Sequence, residues 1–140
     1  LSLHDALPIS TRLQHATRIW QHASGIAGLR VPRIPSSVEH AAYKAYVFIE
    51  PSALKADWSR DRILAEINAQ GVPCYSGSCS EVYLEKAFDS TPFRPEKRLP
   101  NAQRLGETSL MFLVHPTLTA EHIDQTCGVL QRVMAQAVKP

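Results

Sequence analysis

The chain has 140 residues, enough for one domain with a buried core. Its 44% apolar and 20% charged content is that of an ordinary globular protein and excludes wholesale disorder. A net charge of +2, with acids and bases interspersed, argues against a nucleic-acid surface, and no run of about eighteen apolar residues is present to span a membrane.

Residues 1–10, Leu-Ser-Leu-His-Asp-Ala-Leu-Pro-Ile-Ser, show no clear helical or strand period and carry Pro8 in their middle. The stretch is too short and too uncharged at its start for a signal peptide. It resembles the adapter-derived peptide of translated assemblies, so it is set apart as non-native, with a domain expected over 11–140 and native chain upstream. From Thr11 the spacing turns helical, with Leu13, Ala16, Trp20 and Ala23 on one face, until Ser24, Gly25 and Gly28 end it. His15 and His22 share a stripe but lack a third ligand at metal spacing, and are read as solvated or boundary residues.

Pro32 and Pro35 make residues 29–35 an extended connector. Residues 43–49, Tyr-Lys-Ala-Tyr-Val-Phe-Ile, form the strongest predicted strand. Alternation points Tyr43, Ala45, Val47 and Ile49 one way and Lys44, Tyr46 and Phe48 the other, so this strand belongs at the centre of a small sheet with helices on at least one face. Ser59 is placed to cap a helix over 60–70 whose buried stripe is Ile63, Leu64 and Ile67, and Gly71 to end it.

Residues 72–75 read as a short strand leading into Ser76-Gly77-Ser78-Cys79-Ser80-Glu81. Ser78 and Glu81 have the spacing of a capping box, which predicts a helix from Cys79 with Leu84, Ala87 and Phe88 inward. Free N–H groups at such a start make a partly positive pocket for a carboxylate, a phosphate or a sugar hydroxyl. The plain alternative is a capped helix after a surface loop.

Residues 89–100 read as a loop, and 99–108 as a short helix with Ala102 and Leu105 inward. A second central strand is expected over 109–114, followed by a helix capped by Thr119 with Ile123, Cys127, Leu130, Met134 and Ala137 buried. The alternation of helices with few, short strands indicates a two-layer α+β domain, its helices packed on a small, mainly antiparallel or mixed sheet. The three cysteines, Cys74, Cys79 and Cys127, are odd in number and lack C-x-x-C spacing, which fits the reduced thiols of a cytoplasmic protein.

Four segments carry a family resemblance: Tyr43-Lys44-Ala45-Tyr46-Val47-Phe48, Trp58-Ser59-Arg60-Asp61-Arg62-Ile63, Gly71-Val72-Pro73 with its loop and Leu84-Glu85-Lys86-Ala87-Phe88, and Leu113-Val114-His115-Pro116-Thr117-Leu118-Thr119. In order and spacing the chain from about Thr11 resembles the C-terminal small domain of DegT/StrS-type sugar aminotransferases that use pyridoxal phosphate. The resemblance implies the small domain of a fold-type I aminotransferase. Its implied reaction moves an amino group, usually from glutamate, to the ketone of a nucleotide-linked sugar in amino-sugar or cell-surface polysaccharide synthesis.

The resemblance further implies that the cofactor's lysine, the acidic partner of its ring nitrogen and its phosphate cup lie in a large N-terminal domain. None of Lys44, Lys55, Lys86, Lys97 and Lys139 matches the lysine motif, so this piece alone is expected to be inactive. What the small domain contributes is part of a homodimer and a wall of the substrate cleft, corresponding here to Tyr75, Ser76, Ser78, Cys79 and Ser80. The loop departs from the His-Tyr pair of many sugar-acting members, although serine hydroxyls still suit sugar hydroxyls or a carboxylate. Two other classes stay open: a free-standing small-molecule-binding or regulatory module using the same loop, and a thiol hydrolase pairing Cys79 with His115 or His40.

Overall fold

The computed structural model describes residues 3–140, with side chains from Pro8 onward. Two strands organise it. β2 (Lys44–Ile49), rich in aromatic and β-branched residues, and β4 (Ser109–Leu113), a mainly apolar run, pair antiparallel, Lys44 opposite Leu113 and Phe48 opposite Ser109. Short strands flank them, β1 (Leu29–Arg30) on β2 and β3 (Cys74–Tyr75) on β4, giving the order β1-β2-β4-β3 with every pairing antiparallel. The sheet is therefore neither mixed nor parallel in any part.

Alternation along the central strands puts Ala45, Val47, Ile49, Leu110 and Phe112 on one face, each at most 1% exposed. Three helices, α1 (Leu3–Ser24), α2 (Arg60–Ala69) and α4 (Ala120–Ala137), supply the apolar residues packed with that face, among them Ile19, Ile63, Ile67, Ile123, Leu130 and Met134. The ends of α2 and α4 follow local rules. Ser59 Oγ accepts from the Arg62 N–H, and Gly71, at φ +79°, turns the chain out of α2. Thr119 accepts from the His122 N–H while His122 Nδ1 accepts from the Thr119 N–H at 3.0 Å, a capping box with histidine at the usual glutamate position. The Trp20 indole donates to the Tyr46 carbonyl at 3.0 Å, beyond the reach of the two-residue β1, and so fixes α1 on the sheet.

Several expectations are corrected. α1 begins well before Thr11, running through the segment set apart as adapter-derived, of which residues 1–2 lie outside the described residues. Pro8 lies inside this helix, in its second turn, where its missing N–H forfeits one intrahelical bond. On α1 the inward position belongs to Ile19, with Leu13 at 36% exposure. His15 and His22 are boundary residues, as one of the two readings had them, with His15 Nδ1 and His22 Nε2 buried and without a hydrogen-bond partner, and among the described residues no three His, Cys, Asp or Glu side chains form a metal-holding group. Tyr43 is 71% exposed, because the chain bends at Ala42, at φ 47°, and the buried slot goes to Ala42 instead. α3 (Pro100–Thr108) leaves Leu105 at 41% exposure and buries Thr108. No helix among the described residues is long and apolar enough to cross a membrane.

Candidate functional site

The second face of the sheet carries Lys44, Tyr46, Phe48 and Met111, and the loop after β3 lies against it. Gly77, at φ +97°, makes the close approach: a Cβ there would stand 2.7 Å from Cε1 of Tyr46. The next residue is bonded to the same ring, since the Ser78 N–H donates to the Tyr46 hydroxyl at 3.2 Å and the Ser78 and Tyr46 hydroxyls lie 3.1 Å apart. On the other side the Ser109 hydroxyl donates to the Ser76 carbonyl at 2.7 Å. Ser80 seats against α3, where a Cβ on Gly106 would meet its Oγ at 2.5 Å.

Of the five predicted wall residues, Ser76, Ser78, Cys79 and Ser80 line one cavity of about 550 Å³, together with Glu81 and Arg98. Tyr75 stays outside it, 48% exposed on β3 opposite Met111. Gly77 and Ser78 also form the rim of a second groove of about 480 Å³, bounded by His40, Tyr43, Lys44, Tyr46 and Met111.

The capping box predicted here does not form. Ser78 is engaged by Tyr46, and the Glu81 carboxylate accepts from Arg98 Nε at 2.9 Å and from the Tyr83 hydroxyl at 2.7 Å. Two single-turn 3-10 segments, Val82–Leu84 and Lys86–Phe88, stand where a helix was expected, neither with a side-chain cap. The charge-assisted fork of Arg98 outbids a lone backbone N–H for the carboxylate. Without a helix start at Cys79 there is no dipole pocket. Leu84 and Ala87 stay exposed and Phe88 is half-buried, so the inward stripe assigned to them is lost too.

This ion pair governs the far wall of the cavity. Hydrogen bonding to Arg98, then to Tyr83, lowers the Glu81 pKa from 4.5 to about 2. Desolvation, and next the Glu81 carboxylate, raise that of Tyr83, whose hydroxyl also accepts the Leu99 N–H at 2.9 Å. Because the folded pKa of Glu81 is depressed, its contribution is present above about pH 4.5 and is lost as pH falls toward about 2. Protection of the Leu99 amide, taken against its intrinsic exchange rate at each pH, is expected to fall across that window, and Glu81→Gln to remove the dependence; an unchanged acid profile in the variant would contradict the assignment.

The thiols divide cleanly. Cys74 and Cys127 are buried, with burial pushing the Cys74 thiol up to about 12, and Cys79 is exposed. A thiol reagent at mild alkaline pH is expected to label Cys79 alone, with a labelled mass of one adduct per chain; modification of Cys74 in the folded protein would contradict the core placement. Cys79 Sγ lies 3.5 Å from Glu85 Oε1. His40 Nδ1 accepts the Ala42 N–H and His115 Nδ1 lies 2.8 Å from the Thr117 hydroxyl, and among the described residues the Cys79 thiol is bonded to Glu85 and to no imidazole.

Residues 7–131 match the DegT/DnrJ/EryC1/StrS aminotransferase family. The chain belongs to this family. Among solved structures, the aminotransferase from Psychrobacter cryohalolentis is 52% identical with a TM-score of 0.83, the match covering 92% of this chain and 35% of that one. The aminotransferase TlmJ from Streptoalloteichus hindustanus, 22% identical with a TM-score of 0.76, matches over 92% of this chain and 32% of its own, and shares the fold. So does a DegT DnrJ EryC1 StrS aminotransferase from Brucella abortus, 22% identical with a TM-score of 0.72, over 89% and 31%. No curated protein matches the sequence. The chain spans about a third of the length of these aminotransferases.

The pyridoxal phosphate implied for a DegT-family enzyme finds no matching residues here. Lys55 and Lys139 donate to the Gln136 and Ser52 carbonyls, Lys86 and Lys97 stand exposed, and Lys44 lies on the Tyr43 ring. Among the described residues no lysine stands with a carboxylate and an anion cup in the arrangement the cofactor needs. What this family member does carry, and sequence reasoning missed, is the support of the loop: Tyr46, Ser109 and Arg98. Tyr46 was visible only as an aromatic on the polar side of a strand, and Ser109 as an ordinary first residue of one.

Proposed function

We propose that this chain is the C-terminal small-domain part of a longer, pyridoxal-phosphate-dependent aminotransferase. Its proposed reaction transfers an amino group from an amino-acid donor, glutamate in the first instance, to the keto group of a nucleotide-linked sugar in amino-sugar or cell-surface polysaccharide synthesis. The domain proper runs over 11–140, and the adapter-derived stretch is confined to the residues before 7, where the family match begins. The large N-terminal domain holds the cofactor, and the active enzyme is a cytoplasmic homodimer.

The observation that carries this reading is the family match over 7–131, whose span includes a polar loop fixed in place by the sheet beneath it. In this role Ser76, Ser78, Cys79 and Ser80 form the cleft wall and Tyr75 flanks it. Ser78 presents a hydroxyl already oriented by Tyr46, so little ordering entropy remains to be lost when a sugar hydroxyl binds.

The test compares the chain by itself with the gene product extended upstream. The extended protein is expected to show the visible absorbance of bound pyridoxal phosphate and glutamate-dependent amination of a keto-sugar nucleotide, and the 140-residue chain neither. A yellow, active 140-residue chain, or an extended protein that binds no cofactor, would overturn the proposal.

A further inference from the structure

Arg60 opens α2, the end of a helix at which that helix's own dipole disfavours a cation. Its side chain is only 17% exposed, and Nε donates to the exposed Asp61 carboxylate at 2.6 Å. Nη1 points the other way, donating to the Gly106 carbonyl at 3.0 Å and to the Ser109 carbonyl at 3.1 Å. The last carbonyls of a helix lack intrahelical partners and gather partial negative charge, so a cation at the wrong end of α2 stands at the right end of α3.

Those two carbonyls belong to the residues on which the loop after β3 rests. Ser109 holds the Ser76 carbonyl through its hydroxyl, and Gly106 lies beneath Ser80 with no room between them for a Cβ. The same helix sets the start of the loop. The Asn68 carboxamide donates to the Cys74 carbonyl at 2.8 Å and accepts the Cys74 N–H at 3.2 Å, so both backbone polar groups of that strand residue are tied to α2. One helix therefore fixes the entry of the loop at Cys74 and, through Arg60, the seats of Ser76 and Ser80. Without the guanidinium, the Gly106 and Ser109 carbonyls lose a charge-assisted donor.

We propose that Arg60 is a positioning residue for this loop: through Gly106 and Ser109 it sets where Ser76 and Ser80 stand, and with them the fit of the wall to the sugar substrate. The assignment rests on the reading of the loop as a cleft wall. It makes α2, rather than the loop's own serines, the element that decides the wall's position. The planar guanidinium serves Asp61 and both carbonyls at once, whereas an ammonium on a flexible stem holds them less firmly.

The test follows amide hydrogen exchange in the protein extended upstream and compares the peptide over 76–80 with one from α4. Arg60→Met keeps the length of the side chain and removes the donors, so exchange over 76–80 is expected to quicken about threefold or more while α4 stays as in the parent. Arg60→Lys is expected to restore part of the protection, and Arg62→Gln, an exposed arginine of the same helix bonded to Asp57, to change nothing. Steady-state kinetics separates positioning from stability, because a misplaced wall raises KM for the keto-sugar nucleotide whereas loss of folded enzyme lowers kcat at unchanged KM. Arg60→Met is expected to raise that KM about fivefold or more, with kcat within about twofold of the parent. Unchanged exchange over 76–80, or faster exchange that spreads equally through α4, would overturn the proposal, as would a fall in kcat alone. Faster exchange confined to the loop with an unmoved KM would support Arg60 as the loop's anchor while removing the cleft-wall reading. Where the extended protein aminates no sugar, the aminotransferase reading fails and the exchange result alone decides the role of Arg60.

Discussion

Replacing Phe112 with alanine is expected to lower the free energy of unfolding by about 3–5 kcal/mol. Phe112 is 1% exposed and sits on β4 opposite Ala45 on one side and Cys74 on the other. Its neighbours across the sheet are small, so the ring itself fills the space between the central strands and the helices, and little can collapse into the void. The loss should be read as a lower urea midpoint with an unchanged slope. Leu105→Ala, at a position 41% exposed on α3, is expected to stay within about 0.5 kcal/mol of the parent. A Phe112 variant as stable as the Leu105 one would mean that the core is not built around β4.

The second large effect is expected at Gly77. Alanine there adds a Cβ 2.7 Å from the Tyr46 ring at a φ of +97°, so either the ring or the loop must move. Strain of this kind costs of order 1–3 kcal/mol, and relieving it pulls the Ser78 hydroxyl off Tyr46. If the proposed function holds, kcat/KM of the longer enzyme for its proposed sugar substrate should fall by about tenfold or more, since each 1.4 kcal/mol of lost transition-state stabilisation is a factor of ten. Tyr46→Phe keeps the ring and removes only the hydroxyl that holds Ser78, so its loss should be smaller. If Gly77→Ala leaves both stability and kcat/KM unchanged, the loop is not held against Tyr46 and its role as a cleft wall fails.

The contrast between these two positions shows what was readable beforehand. Phe112 lies in an apolar run whose strand character is evident from residue type alone, and burial followed from that run. Gly77 was legible as a turn glycine, but not as the point where a loop meets an aromatic ring thirty-one positions earlier in the chain. The helix expected from Cys79 failed for the same reason. Ser78 and Glu81 satisfied a local spacing rule, yet both side chains were claimed by distant partners, Tyr46 and Arg98.

The amino-acid order by itself determined the two central strands, the α2 and α4 helices with their caps, the glycine stop at Gly71 and the inward stripe of α4. These rest on periodicity and on hydrogen bonds between residues a few positions apart, which are written into the order of side chains. Only the tertiary structure decided the wholly antiparallel order of the sheet, the loss of the helix after Ser78, the outward turn of Tyr43 and the support of the loop by Tyr46 and Ser109. In the loop after β3 a local partner competes with a remote one, and the remote partner wins where charge or packing makes its bond the stronger.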